Sequence, residues 1–237
     1  MVTPTVIRTN TPMADIDFEL LQLNDSTFPI GSYTLSWGLE TFVQQKIIHD
    51  SLSALSYLES EISSSFLTSE LLPVRLAYEK TAAGEWNKVF EIDSIYNAAK
   101  TAKEIRVGSK KISARFFKTV SLWQDEASSD EISTCLSELN HFPVIYGSYC
   151  ALRKIKEEDA LKTFLYSQFS ARVTTLVKLI PLSQNEGQKI LHSLFADFER
   201  ILSEVMALKE DDLCRSCPSC EIRAMQHEFL YTRLYMS

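Results

Sequence analysis

The sequence predicts an all-α protein, a single-domain multi-helix bundle, on three observations. Hydrophobic residues make up 45% of its 237 positions, ample for a packed core. Only 6 Gly and 7 Pro punctuate the chain, too few for the many tight turns of a sandwich or barrel. Apolar residues recur at spacings of three and four through most of its length, the period of an amphipathic helix rather than a strand. No internal repeat and no long linker divides the chain, so one helical domain is expected over residues 15–237.

Residues 1–14 are polar and Thr-rich with two prolines, and predict a disordered N-terminal segment. "FELLQL" is a short helical piece closed by Asn24-Asp25-Ser26, which is stop and turn chemistry. Pro29-Ile30-Gly31-Ser32 turns the chain, after which Ser32 or Thr34 is expected to cap a helix from about Leu35 to Gln45. Asp50-Ser51 reads as the N-cap of a long helix with Leu52, Leu55, Leu58, Ile62 and Phe66 on one face. Pro73 should kink or end that helix, and Gly84 should stop the two further turns beyond the proline.

Glu85 to Lys100 forms another helical stretch, and Glu104 to Trp123 a cleaner one, with Ile105, Ile112, Phe116, Val120 and Trp123 on one side. Opposite them lie Lys100, Lys103, Lys110, Lys111, Arg115 and Lys118, either a solvated exterior or a docking surface for an acidic partner. Ser128 to Glu131 has capping-box spacing. "NHFPVIYGSYCAL" is a turn followed by an apolar helix or strand, with Gly147 suited to close packing. Ala160 to Ile180 is helical and ends at Pro181; Ser183 to Glu186 is a second capping box. One helix is expected after it, carrying Leu191, Leu194, Phe198, Ile201, Val205 and Leu208, with Ile190, Phe195, Leu202 and Met206 widening the face enough to imply burial inside the bundle.

A net charge of −7 disfavours a nucleic-acid ligand, whose phosphates require a basic surface. No apolar run reaches the ~18 residues of a membrane span. Five cysteines in a chain of this size suggest a reducing, cytoplasmic compartment rather than a disulfide scaffold.

Catalytic motifs are incomplete. Thr34-Leu35-Ser36-Trp37-Gly38 lacks the first glycine of a nucleophile elbow, His227-Glu228 lacks the second histidine of the zinc-protease helix, and no glycine precedes a lysine as in a phosphate-binding loop. "LCRSCPSCEIR" places Cys214, Cys217 and Cys220 at two-residue spacing, so three thiolates could meet one metal with His227, His192 or a second chain supplying a fourth ligand. The alternative is three surface thiols in a loop, with Pro218 preventing helix continuation. Tyr33 and Trp37 require cover for their rings, from the bundle or from a partner. The ending, dense in Phe229, Leu230, Tyr231, Leu234, Tyr235 and Met236, must fold back or bind, at about 25 cal/mol per Å² of apolar surface.

Three segments together resemble the urease accessory protein UreF family: Phe28-Pro-Ile-Gly-Ser-Tyr-Thr with Gly38-Leu-Glu behind it, "IPLSQNEGQKIL", and the ending with Met225-Gln-His-Glu and Arg233-Leu. The likeness runs from about Phe18 to the last residue. It implies an all-helical homodimer without catalytic activity or cofactor of its own, bridging UreD/UreH to the GTPase UreG in the assembly that delivers nickel to the urease apoenzyme. It places Tyr33 and Arg233 among the partner-recruiting positions, with Met225, His227, Glu228 and Tyr235 in the same tail (about 211–237). The three-cysteine cluster departs from the family pattern.

Overall fold

The computed structural model describes residues 17–123, 130–215 and 217–236. The expected N-terminal segment 1–14 and most of the Ser128 capping box lie outside them. Among the described residues there is no strand, and no helix is long and apolar enough to cross a membrane.

Helix α1 (Phe18–Leu23) is capped by the Asp17 carboxylate, which accepts from the Leu20 amide at 3.1 Å. The region after it differs from expectation. Ser32–Thr34 is a single 3₁₀ turn, and α2 begins only at Leu39 and runs to Gln44. Neither Ser32 nor Thr34 caps it; the Thr34 hydroxyl donates instead to the Gly31 carbonyl at 2.8 Å. The reason is local geometry. Trp37 (φ 56°) and Gly38 (φ 86°) are both left-handed, and two such residues in succession interrupt a right-handed helix.

Helix α3 (Ser51–Glu61) starts at the expected N-cap, Asp50, which the structure shows forming a capping box with Ser53. It continues without a break through a π-helical segment, Ile62–Leu71, into α4 (Leu72–Ala82), so Pro73 does not end it. In the wider register the Leu72 amide reaches the Leu67 carbonyl, five residues back. The next amide would belong to Pro73, which has none. The Thr68 carbonyl left over accepts the Cys214 amide at 2.9 Å, so the proline's missing donor is supplied by a distant segment. Leu52, expected on the apolar stripe, is exposed, while Leu58, Ile62 and Phe66 are buried. Gly84 (φ 74°) follows α4 as the expected stop.

Helix α5 spans Trp86–Ala99 and α6 Lys103–Val120, followed by a short helix α7 (Asp130–Glu138). Lys100 is not on the basic face of α6: its ammonium lies 2.6 Å from the Glu70 carboxylate, half-buried. Lys103, Lys110, Lys111, Arg115 and Lys118 are exposed as expected.

The ambiguous apolar run is α8 (Phe142–Leu152), buried from Phe142 to Cys150. It packs against α4 at Gly147, where a Cβ would stand 2.2 Å from the Val74 carbonyl oxygen. Phe116, Phe142, Tyr146 and Phe164 stack around it with ring centroids 5.1–6.2 Å apart. Helix α9 (Glu157–Leu179) carries Arg172, whose guanidinium is buried beside Glu61 at 3.0 Å and lies over the rings of Trp37, Phe66 and Phe169.

The second expected capping box, Ser183 with Glu186, opens α10 (Gln184–Ser193), but the helix does not run on to Leu208. At Leu194 (ψ −8°) the chain tightens and α11 (Phe195–Ala207) sets off anew. An apolar face this wide cannot sit on one neighbour. The bend turns Phe198, Ile201 and Val205 inward and leaves Phe195 and Met206 exposed, so this is an outer element rather than one enclosed by the bundle. The Arg75 guanidinium closes the end of α11, donating to the carbonyls of Val205, Met206 and Leu208 at 2.8–2.9 Å.

Gly147→Ala is expected to lower stability by about 1–3 kcal/mol, because the Val74 backbone cannot move aside as a side chain could. Thermal melting checks this: the midpoint should fall by several degrees, at roughly 2–4 °C per kcal/mol for a chain this long. Lys111→Ala should stay within about 0.5 kcal/mol of the parent.

Candidate functional site

The opening stretch and the chain's ending meet. Helix α12 (Pro218–Gln226) lies on α2, its Ala224 backbone against Gly38, where a Cβ would stand 3.3 Å from the Ala224 Cα. Gly38 therefore supplies both the left-handed turn and the close approach. Arg223 lies over the Phe42 ring at 5.8 Å, and Gln45 donates to Gln226 at 2.9 Å.

Beyond α12 a 3₁₀ turn, His227–Phe229, drives His227 into the interior, where it is fully buried. Its Nε2 is 3.1 Å from a Glu40 oxygen and its Nδ1 2.6 Å from a Glu104 oxygen. Each ring nitrogen thus faces one carboxylate oxygen, so the ring bridges α2 and α6. Glu40, itself only 2% exposed, also accepts the amides of Leu234 at 2.8 Å and Tyr235 at 3.2 Å. Arg233 donates to the second oxygen of Glu104 at 2.7 Å. The Met236 amide reaches the Thr34 carbonyl at 2.8 Å, and Gln44 donates to the Thr232 carbonyl at 2.7 Å.

The ending is thus held by polar contacts while its apolar side chains face outward. Phe229 is 83% exposed, Leu234 77% and Met236 55%; the ring of Tyr231 is wholly exposed. Tyr33, 70% exposed, immediately precedes Thr34, whose carbonyl takes the Met236 amide. Exposed apolar side chains gathered on a folded chain make this segment a candidate interaction site. Next to it, Lys103, Lys111 and Arg115 of α6 share a cleft of about 440 Å³ with Glu104, Glu228 and Met236, so the basic face adjoins the tail.

The residues singled out in sequence divide accordingly. Tyr33, Arg233, Met225 and Glu228 are on the surface, and Tyr235 is partly covered. His227 is inside, as the pin of the tail. Trp37 is covered by the bundle, half-buried under Arg172. Ser36 is fully buried in the turn before α2.

Cys217 and Cys220 are together, their sulfurs 3.3 Å apart, and Cys214 faces the same cavity. The three-thiolate ligand set that the spacing allows is nevertheless not assembled: among the described residues no three His, Cys, Asp or Glu side chains form a group able to hold a metal ion. His227, considered as a fourth ligand, is committed to Glu40 and Glu104, and His192 packs edge-on to Phe195 at 4.9 Å.

The sequence gives no role to the two carboxylates that hold the tail, although Glu40 falls in the Gly38-Leu-Glu motif. One signal was present for Glu40: it is the acidic residue that ends an otherwise uncharged run from Ser26, at the start of an apolar helix. Glu104 carries no such mark.

Glu40→Gln should lower stability by about 3 kcal/mol, because the amide replaces one of two acceptor oxygens with an NH2 donor and leaves part of the buried donor set unpaired. Limited proteolysis at Tyr231 and Arg233 should quicken in that variant and in His227→Ala, while Glu228→Gln matches the parent. An unchanged cleavage rate in Glu40→Gln would mean that the carboxylate does not hold the tail.

Comparison with known proteins gives consistent matches. A family model described as UreF matches residues 48–195. Relatives named urease accessory protein UreF include one from Haemophilus influenzae, 32% identical over 221 residues that cover 92% of this chain and 94% of that protein. One from Actinobacillus pleuropneumoniae and one from a Bacillus species are each 32% identical, covering 92% of this chain and 97% of their own.

Proposed function

The chain belongs to the UreF family of urease accessory proteins, and from that membership we propose that it is a non-catalytic urease maturation factor, bridging UreD/UreH and the GTPase UreG during nickel insertion into the urease apoenzyme. In this reading the chain acts as a cytoplasmic homodimer. Nickel is cargo of the assembly, and the reaction chemistry belongs to the GTPase, which brings the phosphate-binding loop that this sequence lacks.

One observation carries the proposal. A polar lock holds the C-terminal segment on α2 and α6, and the apolar side chains of that segment, with Tyr33, are left uncovered. A surface pinned from within and open outside is organised before its partner arrives, which lowers the ordering cost of association. The partner's contacts then fall on Tyr33, Phe229, Tyr231, Arg233 and Leu234. Tyr and Arg are the residue types that most often dominate binding energy at the centre of such interfaces. The exposed lysines of α6 beside the patch suit an acidic rim on the incoming protein.

Mixing the pure chain with UreD/UreH and UreG should give one larger species by light scattering. Tyr33→Ala should weaken that association by about 2 kcal/mol or more, and Arg233→Ala by roughly tenfold. Truncation before Glu221 should abolish it; assembly undiminished by the truncation would remove the tail from the interface.

A further inference from the structure

We propose that Cys217 and Cys220 form a reversible dithiol–disulfide site at the start of α12, oxidised by a low-molecular-weight disulfide of the glutathione class. Nothing in the maturation role assigns the pair, and the inference does not rest on that role.

Three features of the fold carry it. The sulfurs are already in contact at 3.3 Å, so a bond between them requires only side-chain adjustment within one helical turn. Both line a cavity of about 80 Å³ between the π-helical segment and α12, bordered by Ser65, Ser69, Thr101 and Glu221, and both are partly exposed. Cys217 is the N-cap residue of the nine-residue α12, where the amides at the helix start favour a thiolate, and Pro218 fixes the first turn.

The surroundings separate the roles of the two thiols. Burial opposes ionisation of Cys217, but hydrogen bonds from the Ser219 hydroxyl, the Cys220 amide and thiol, and the Ser64 hydroxyl outweigh it and hold the thiol below its ordinary value. Burial, followed by the neighbouring Cys217, pushes Cys220 up to about 12. Cys214, on the same cavity, is pushed up to about 11 by burial, and its backbone is tied to Thr68. Cys217 is therefore the attacking thiol and Cys220 the resolving one.

The step balances. The Cys217 thiolate attacks one sulfur of glutathione disulfide, forming a mixed disulfide and expelling one glutathione thiolate. Cys220 gives up its proton, and its sulfur displaces the second glutathione thiolate from the Cys217 sulfur. Two protein thiols are oxidised, one glutathione disulfide is reduced to two glutathiones, and the two protons finish on the expelled thiolates.

The test uses the full chain equilibrated in glutathione redox buffers, quenched with an alkylating reagent, digested with trypsin and weighed. The peptide of residues 216–223 should carry two alkyl groups when reduced and, as the glutathione disulfide fraction rises, appear unalkylated and two hydrogens lighter than the free dithiol, reverting on reduction. Cys220→Ser should stop at a stable glutathione adduct on Cys217, whereas Cys217→Ser should form the adduct on Cys220 at least roughly tenfold more slowly. Cys214→Ser should oxidise like the parent. A peptide that stays reduced across the whole glutathione range, a disulfide that includes Cys214, or equal adducts in the two variants would overturn the assignment.

Discussion

A single carboxylate organises the end of this molecule. Glu40 is buried at the start of α2 and receives the His227 ring and the amides of Leu234 and Tyr235. An ionised carboxylate out of water is costly unless hydrogen bonds replace its hydration, and these donors come from the last residues of the chain. Glu104 does the same from α6, taking His227 and Arg233. Sites almost two hundred positions apart in sequence are thereby made one surface. The tail is fixed because these carboxylates draw their hydrogen-bond donors from it, and its apolar side chains are left exposed.

The same logic recurs elsewhere in the fold. The Thr68 carbonyl, deprived of a donor by Pro73, is satisfied by Cys214, which sets the path of the chain into α12. Arg172 is buried with Glu61 and under three aromatic rings, packing α9 against the π-helical segment and the turn before α2. Each buried polar group that one segment leaves open is closed by a distant one, so the bundle and its extension are held in one register.

Much of the fold was legible because helix starts carry local chemistry. The N-cap at Asp50, Ser183 with Glu186, and the stop at Gly84 declare themselves within a few residues. The errors are places where a distant segment overrides the local rule. Pro73 does not break its helix because the register widens ahead of it and the orphaned Thr68 carbonyl takes the amide of Cys214, 141 positions beyond the proline. The wide apolar face after Ser183 indicated burial but not the bend at Leu194 that divides it. For the site, the aromatic density of the ending stated that it must fold back or bind, and the structure does the first with polar groups and leaves the means for the second. That His227 would pair with Glu40 and Glu104 could not be read locally, since the partners lie on two separate helices.

The tail is docked on α2 and α6 in the chain by itself, with its apolar side outward. Hydrogen–deuterium exchange of the unpartnered protein, measured at the amides of Leu234 and Tyr235, tests it directly. Exchange at least roughly tenfold slower than in an unstructured peptide of the same sequence is expected, since each amide is closed onto a buried carboxylate. Exchange at the peptide rate would contradict it.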